Sequence, residues 1–477
     1  MTLNLRGILR ATFGVGTVVG MFMLIVPLVD LIYDDTISFS FLFSGLVLIV
    51  IGYLLSRMKT QSLTSFEAAV VAVISWIMMS VISAIDMCIE TKYAFIDTLF
   101  ESVSGFTGTG FSVFVLKNMK YSIILWRSLM QWIGELGFTV FAILILPYFY
   151  YVAREVYGVE RPVKIEITFY KTAIRLLIIY GSLTFIGAVA YIITGMSGFE
   201  AINHIMTTIA TGGMSIYDQG YQLIFLRAPF TYIPMVIFMI LGGMNFQDLN
   251  NLVTGKFKEL LKSEEFMFYL IMLMILSSLV YLSYLFVDNI KTDNVIPFAL
   301  FNTISGYTTT GFNLGLISKL RDTTKILLVI SMFIGGMSFS TAGGIKTFRL
   351  LLFLKKIKHY AQSIVLPSSV IKPVKFDEKT VSEAEFSQVL FIIIMHALMI
   401  IIGALIVSAY GNNFTDSLFE ATSAASNVGL SSGIVSMTDP FTVKITLIIL
   451  MILGRLEYLP LFLALSLMFR EKIIKRK

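Results

Sequence analysis

The sequence is poor in the residues that most enzyme chemistry draws on. Of 477 residues one is cysteine, Cys88, which excludes an intramolecular disulfide and any cysteine-built metal centre. His204, His359 and His396 stand far apart in sequence, and no HExxH pair, Ser-His-Asp set or paired carboxylates accompany them, which argues against an enzyme. Charge is scarce as well, since Asp, Glu, Lys and Arg make up 14% of the chain against about a quarter in soluble domains. What fills the space is apolar: 57% of the residues are hydrophobic and mean hydropathy is positive. The chain reads as a membrane protein.

Apolar runs of the ~20 residues needed to cross a hydrocarbon core about 30 Å thick recur throughout. Lipid offers no partner to open backbone, so these runs must be helices. Stretches 9–32 and 38–56 form an N-terminal pair; Arg6 and Arg10 stand at the head of the first, which lacks a small-residue cleavage site and is expected to stay as an uncleaved span. From 66 onward spans come in twos: 66–89 with 121–152, 172–195 with 230–252, 265–287 with 324–356, and 385–409 with 441–469. This divides the chain into the helix pair at 1–60 and four units at 61–160, 161–260, 261–375 and 376–477. With the N-terminus in the cytoplasm, about two dozen Lys and Arg fall inside and about ten outside, the asymmetry that places both termini in the cytoplasm. That rule accounts for the net charge of +6 without a nucleic-acid partner.

Between the two spans of each unit the chain repeats itself. SGFTGTGFS (104–112), ATGGMS (210–215), SGYTTTGFN (305–313) and SAASNVGLS (423–431) align on Gly110, Gly213, Gly311 and Gly429, each followed by a bulky apolar residue and then Ser or Asn. Thirteen positions earlier stand Asp97, Glu200, Phe298 and Asp416, and nine positions earlier Glu101, His204, Asn302 and Glu420. Downstream a second signature recurs as IGELGF (133–138), LGGMNF (241–246), IGGMSF (334–339) and LGRLEY (453–458). A fixed internal period of this kind marks a structural repeat.

The segments leading into the glycines, about 92–106, 198–209, 296–307 and 414–425, are too short to span and predict re-entrant helices. Such a helix points the negative end of its dipole at the centre of the membrane and leaves the backbone beyond it unpaired, which is tolerated only along a water- or ion-filled path. Four loops of small or polar residues can replace a cation's hydration shell with main-chain carbonyls. The candidate ion-binding residues are Thr107, Gly108, Thr109 and Gly110; Ala210, Thr211, Gly212 and Gly213; Thr308, Thr309, Thr310 and Gly311; and Ser426, Asn427, Val428 and Gly429. For Asp97, Glu200 and Asp416 two roles are open, capping the short helices and drawing cations to an outer mouth.

In the second span of the third unit, GGMSFSTAGGIK (335–346) sets four glycines inside one run, each costing about 1 kcal/mol of helix stability relative to alanine. A break is expected there, placing a loop beneath the glycine stretches, and the candidate gate comprises Gly335, Gly336, Ser340, Thr341, Ala342, Gly343, Gly344 and Lys346, with Arg455. Arg455 is a cation at membrane depth that needs a partner, and Glu135, at the matching place in the first signature, is the better candidate than its near neighbour Glu457. The histidines predict packing roles. The basic loop at about 357–384 and the basic tail after Arg470 are the expected contacts for a cytosolic partner or anionic lipid.

Together TTTGF, NVGLS, STAGGIK and LGRLE, set in four span, loop, span units, resemble the TrkH/KtrB/HKT superfamily of potassium transporters, and the extra N-terminal pair is similar to its TrkH branch. The resemblance implies an all-α membrane protein of four pseudo-fourfold helix, pore loop, helix repeats, with roughly ten transmembrane helices and four re-entrant pore helices. It implies potassium uptake across the cytoplasmic (inner) membrane, K+ as the transported ion at the filter residues with no organic cofactor, a homodimer, and a TrkA-type nucleotide-binding regulatory subunit in the cytosol. It casts 335–346 as a gate and Arg455 as an electrostatic barrier. In plant relatives a serine at the first filter glycine goes with sodium, so Gly110 favours potassium. Two residues depart from the family pattern: Gly108 where Thr is common, expected to loosen the filter on one side, and Glu135 where a second glycine is common. Proton- or sodium-coupled symport on the same fold is the alternative. An alternating-access carrier built from inverted repeats fits less well, because these units are parallel with two spans each.

Overall fold

A computed structural model describes residues 4–34, 36–60, 63–135, 165–290, 294–365, 373–377 and 379–458. The N-terminal pair consists of α1 (Leu5–Met23) with its continuation α2 (Ile25–Tyr33), and α3 (Phe39–Ser56). The join at Leu24 lies three residues before Pro27, whose ring clashes with the carbonyl four residues back and interrupts the helical ladder. Here α1 and α3 pack backbone to backbone: a Cβ at Gly20 would lie 2.8 Å from the carbonyl oxygen of Gly45. Small residues allow such approach between helices in lipid.

Four units follow. The first has α4 (Ser65–Thr91), the short α5 (Phe95–Phe106) and α6 (121–135). The second has α7 (Ile165–Ile193), the short α8 (Gly198–Ile209), a connector α9 (Gln222–Arg227), then α10 (Tyr232–Gly242) and α11 (Phe246–Val253). A six-residue α12 (Phe257–Lys262) leads to the third, with α13 (Glu264–Phe286), the short α14 (Val295–Tyr307), α15 (Asp322–Ile334) and α16 (Thr347–Val365). The fourth has α17 (Glu383–Ser408), the short α18 (Phe414–Ala425) and α19 (Phe441–Arg455). Capping boxes start several of these: Thr64 with Glu67, Ser197 with Glu200 and Ser382 with Glu385 each satisfy first-turn amides that would otherwise be orphaned.

Among the described residues six helices are long and apolar enough to cross a membrane, the first formed by α1 and α2 together. The outer helices of the units keep broad apolar faces exposed, with Phe185, Met274 and Leu405 on their surfaces. The short helices are enclosed instead: Phe100, Ile205, Phe301 and Phe419 are wholly buried. The fold is therefore all-α and membrane-embedded, with the four short helices at its centre.

The inner helices differ from the expectation in an informative way. The break in the third unit is present, between α15 and α16. The second unit, expected to be continuous over 230–252, breaks at Gly243–Asn245, and the helix expected over 441–469 ends at Arg455, where Glu457 and Tyr458 take positive φ of 50° and 66°. Both interruptions fall on the second repeated signature. In the long basic loop, Lys375–Phe376 pairs antiparallel with Lys379–Thr380, a hairpin the sequence reading did not include. The stretches 136–152 and 459–469, the basic tail after Arg470, and residues 366–372 and 378 of the basic loop lie outside the described residues.

Candidate functional site

Each short helix ends in a loop whose backbone it holds. The amides of Thr109 and Gly110 both donate to the carbonyl of Ser104, at 2.9 and 3.4 Å; those of Gly212 and Gly213 to Thr207, at 2.8 and 3.2 Å; and those of Thr310 and Gly311 to Ser305, at 2.8 and 3.5 Å. In the fourth loop the Val428 amide donates to the Ser423 carbonyl at 2.9 Å and the Gly429 amide to the Ser423 hydroxyl at 3.0 Å. In a trans peptide the carbonyl points opposite to the amide of the next residue. Pinning these amides back onto the helix ends therefore turns the preceding carbonyls away from the helices. The loops share one backbone rhythm, with left-handed φ at the glycine and two residues before it: Gly108 and Gly110 at 65° and 87°, Thr211 and Gly213 at 48° and 68°, Thr309 and Gly311 at 56° and 88°, Asn427 and Gly429 at 51° and 89°. Threonine in this region is strained and persists only where its surroundings hold it.

The loops meet in a closed ring. A Cβ at Gly110 would overlap the carbonyl oxygen of Gly212, one at Gly213 that of Thr310, one at Gly311 that of Val428, and one at Gly429 that of Thr109. The order runs first, second, third, fourth and back to first. No side chain fits at any of the four seats, which is the physical reason for glycine at each.

The positions nine residues upstream anchor the segment that climbs away from the ring. Glu101 accepts from the Val113 amide at 3.1 Å and the Arg127 guanidinium at 2.6 Å, and Glu420 from the Ser432 amide at 2.8 Å. Asn302 accepts from the Leu314 amide at 2.9 Å, while the His204 ring lies 3.1 Å from the Ser215 hydroxyl. Three kinds of side chain thus do one job. The outer acids pair with cations: Asp97 with Lys444 at 2.5 Å, Asp416 with Lys325 at 2.6 Å, and Glu200 with Arg227 at 2.7 Å. Glu200 also caps its helix with Ser197, so the capping role holds for it by hydrogen bond, and for Asp97 and Asp416 only by place in the first turn.

Directly against the ring lies 335–346. Gly335, at φ 73°, ends α15, and the chain returns through Lys346, whose ammonium donates to the Ala342 carbonyl. The Ser340 hydroxyl donates to Met337 O at 2.6 Å within the loop. The Thr341 hydroxyl meets Ile209 O at 3.1 Å, Gly242 O at 3.0 Å and the Thr211 hydroxyl at 3.0 Å. The Gly343 amide donates to Thr309 Oγ1 at 2.6 Å and the Gly344 amide to Ser426 O at 3.1 Å. The Gly336 carbonyl accepts from the Thr347 amide at 2.8 Å. Arg455 donates to Thr341 O at 3.2 Å and forms an ion pair with Glu135, both buried. One segment thereby bonds to the second, third and fourth units, and Arg455 links it through Glu135 to the first.

The two sequence departures explain each other. A Cβ at Gly108 would overlap the Glu135 carboxylate, so the space left by the missing side chain is filled and the loop is not loosened there. Elsewhere Thr107 Oγ1 lies 2.8 Å from Thr109 Oγ1, Thr308 Oγ1 lies 2.7 Å from Thr310 Oγ1, and Asn427 donates to Thr109 Oγ1 at 3.0 Å. Ala210, at the first place of its loop, is wholly buried. His396 bridges Tyr458 and Ser426, at 2.7 and 3.0 Å, as a packing histidine would. Sequence reasoning did not single out Gln131, whose amide grips the second loop, although it stands alone among methionines at the matching places of the other units.

Membrane-crossing helices in four repeats around a ring of buried main-chain carbonyls define a polytopic membrane transport protein. The sequence matches the TrkH family, described as cation transport protein, over residues 37–476, and the chain belongs to that family. It is 30% identical to an uncharacterized cation transporter of Methanocaldococcus jannaschii, covering 96% of this chain and 94% of that one. It is 29% identical to the Trk system potassium uptake protein TrkH of Escherichia coli K12, over 91% of this chain and 93% of the other. The crystal structure of the potassium transporter TrkH from Vibrio parahaemolyticus superposes with a TM-score of 0.85 at 26% identity, covering 96% of this chain and 98% of that one.

Proposed function

We propose that this chain is the pore-forming subunit of a Trk-type system that takes up potassium across the cytoplasmic membrane, with both termini inside. The observation that carries the reading is the closed ring of contacts among Gly110, Gly213, Gly311 and Gly429 and the carbonyls of Thr109, Gly212, Thr310 and Val428. Carbonyls turned away from the helices that hold them can stand in for the water a monovalent cation sheds. The cation enters past the outer acids, dehydrates among the sixteen loop residues named above, and meets the 335–346 segment, which acts as the gate. Arg455 sets an electrostatic threshold beneath the ring, tempered by Glu135. The system's other members are, in this reading, a second copy of the chain and a TrkA-type nucleotide-binding ring on the cytosolic face.

The test is potassium uptake and the K+/Na+ flux ratio of the purified full chain in liposomes, for wild type and Gly311→Ser. The serine must displace the Val428 carbonyl, so the K+/Na+ ratio is expected to fall by at least tenfold, the equivalent of about 1.4 kcal/mol. An unchanged ratio would remove the filter reading. Permeation without a proton or sodium gradient separates gated flow from symport.

A further inference from the structure

The ring is fourfold in sequence pattern but not in chemistry. At the place three residues before the second signature's first glycine, the second, third and fourth units carry Met239, Met332 and Met451, and the first carries Gln131. All four are fully buried. Gln131 reaches from α6 into the neighbouring unit's loop, where its Nε2 donates to the Gly212 carbonyl at 2.6 Å and its Oε1 accepts from the Met214 amide at 3.1 Å. Both partners are main-chain groups, one an acceptor only and one a donor only, so the amide has a single workable orientation. A Cβ at Gly212 would lie 2.4 to 2.6 Å from the Gln131 amide, and Gly212 is the only glycine among Thr109, Gly212, Thr310 and Val428. Glycine is there because the amide lies over it.

The Gly212 carbonyl is one of the four that make the ring. We propose that Gln131 is a specificity-determining positioning residue, which engages one lone pair of this carbonyl and fixes the peptides on both sides of Gly213. This rests on the filter reading. Among the described residues, an ion at that level meets three carbonyls free of such a bond and one whose field is already partly spent on an amide proton. Small cations hold their water more tightly and need a stronger ring field to release it, so weakening one dipole favours the larger ion. Clamping the loop from Gly212 to Met214 also limits how far the ring can contract around a smaller one. A methionine can do neither, since its thioether has no proton to donate.

The experiment is the K+/Na+ flux ratio of the full chain in liposomes, with thermal melting in detergent alongside. Gln131→Met gives the first unit the residue the others carry and is expected to lower the ratio on the order of fivefold, the worth of one neutral hydrogen bond, while potassium flux persists. Gln131→Leu keeps similar bulk but offers neither donor nor acceptor nor charge, and carries the test if the methionine variant does not fold; the ratio falls here too. A ratio equal to wild type in a folded variant overturns the proposal, and a lowered melting temperature with an unchanged ratio makes Gln131 a packing residue only. If Gly311→Ser shifts the ratio and the Gln131 variants do not, this inference alone fails; if none of them shifts it, the filter reading fails with it.

Discussion

Arg455 is the residue whose place is hardest to justify on burial alone. A guanidinium at membrane depth is tolerated because Glu135 meets it across the boundary between the fourth and first units, and because Gly108 leaves room for that carboxylate. Removing one partner of a buried pair leaves the other charge without compensation, at a cost of about 3–5 kcal/mol. Glu135→Gln is therefore expected to lower the thermal stability of the purified protein markedly, and Glu135→Gln with Arg455→Gln to recover most of the loss. Additive losses in the double variant would show that the pair is not coupled. Gly108 and Glu135 were each visible in the sequence as departures, but their complementarity was not, because they lie on different elements and only the packed loop brings them together.

Among elements, the short helices were the most legible. The expected 198–209 and 414–425 match α8 and α18 residue for residue, and 296–307 differs from α14 by one. Their ends are written locally, by capping Ser197 and Asn413 at the start of α8 and α18 and by small residues and glycine after the end of each. The broken inner helices were legible only where glycines crowded together, at 335–346. The second unit turns polar after Met244, with Asn245, Gln247 and Asp248, yet its Gly242–Gly243 pair alone does not mark a break; the interruption at Gly243–Asn245 is held by tertiary contacts, the Gly243 carbonyl accepting from the Met337 amide at 2.9 Å and the Phe246 amide donating to the Phe339 carbonyl at 3.1 Å. The recurrence of one signature in all four units was the available clue, since a break argued for one copy applies to its equivalents. Deleting residues 338–343 removes Thr341, Gly343 and their bonds to the second, third and fourth units. Potassium flux through liposomes holding this variant is expected to exceed wild type severalfold. Flux at or below wild type in a folded variant would show that the segment does not obstruct the path.

For the molecule as a whole, the repeat architecture and the charge asymmetry predict which face is which. Lys256 lies exposed between α11 and α12, and Lys319 lies exposed just before α15, at opposite ends of the helices around them. In a Cys88→Ser background, Lys256→Cys is expected to react with a membrane-impermeant thiol reagent only in inverted vesicles, and Lys319→Cys only in intact cells. Labelling of both from one side would refute the orientation. The N-terminal pair and the basic 357–384 loop are less informative at this scale, because nothing in their own pattern says what they face.

The Asp97–Lys444 pair and the seat of Gly429 against Thr109 both join the fourth unit to the first. A tetramer assembled from four finished copies can close at any moment, but a single polypeptide laid down in order cannot. Its first three quadrants emerge from the ribosome with one wall missing, and their polar lining must be shielded from lipid until the last quadrant is made. Closure of the ring is thus a late event in synthesis, and a chain arrested before residue 427 would leave it open between the third unit and the first.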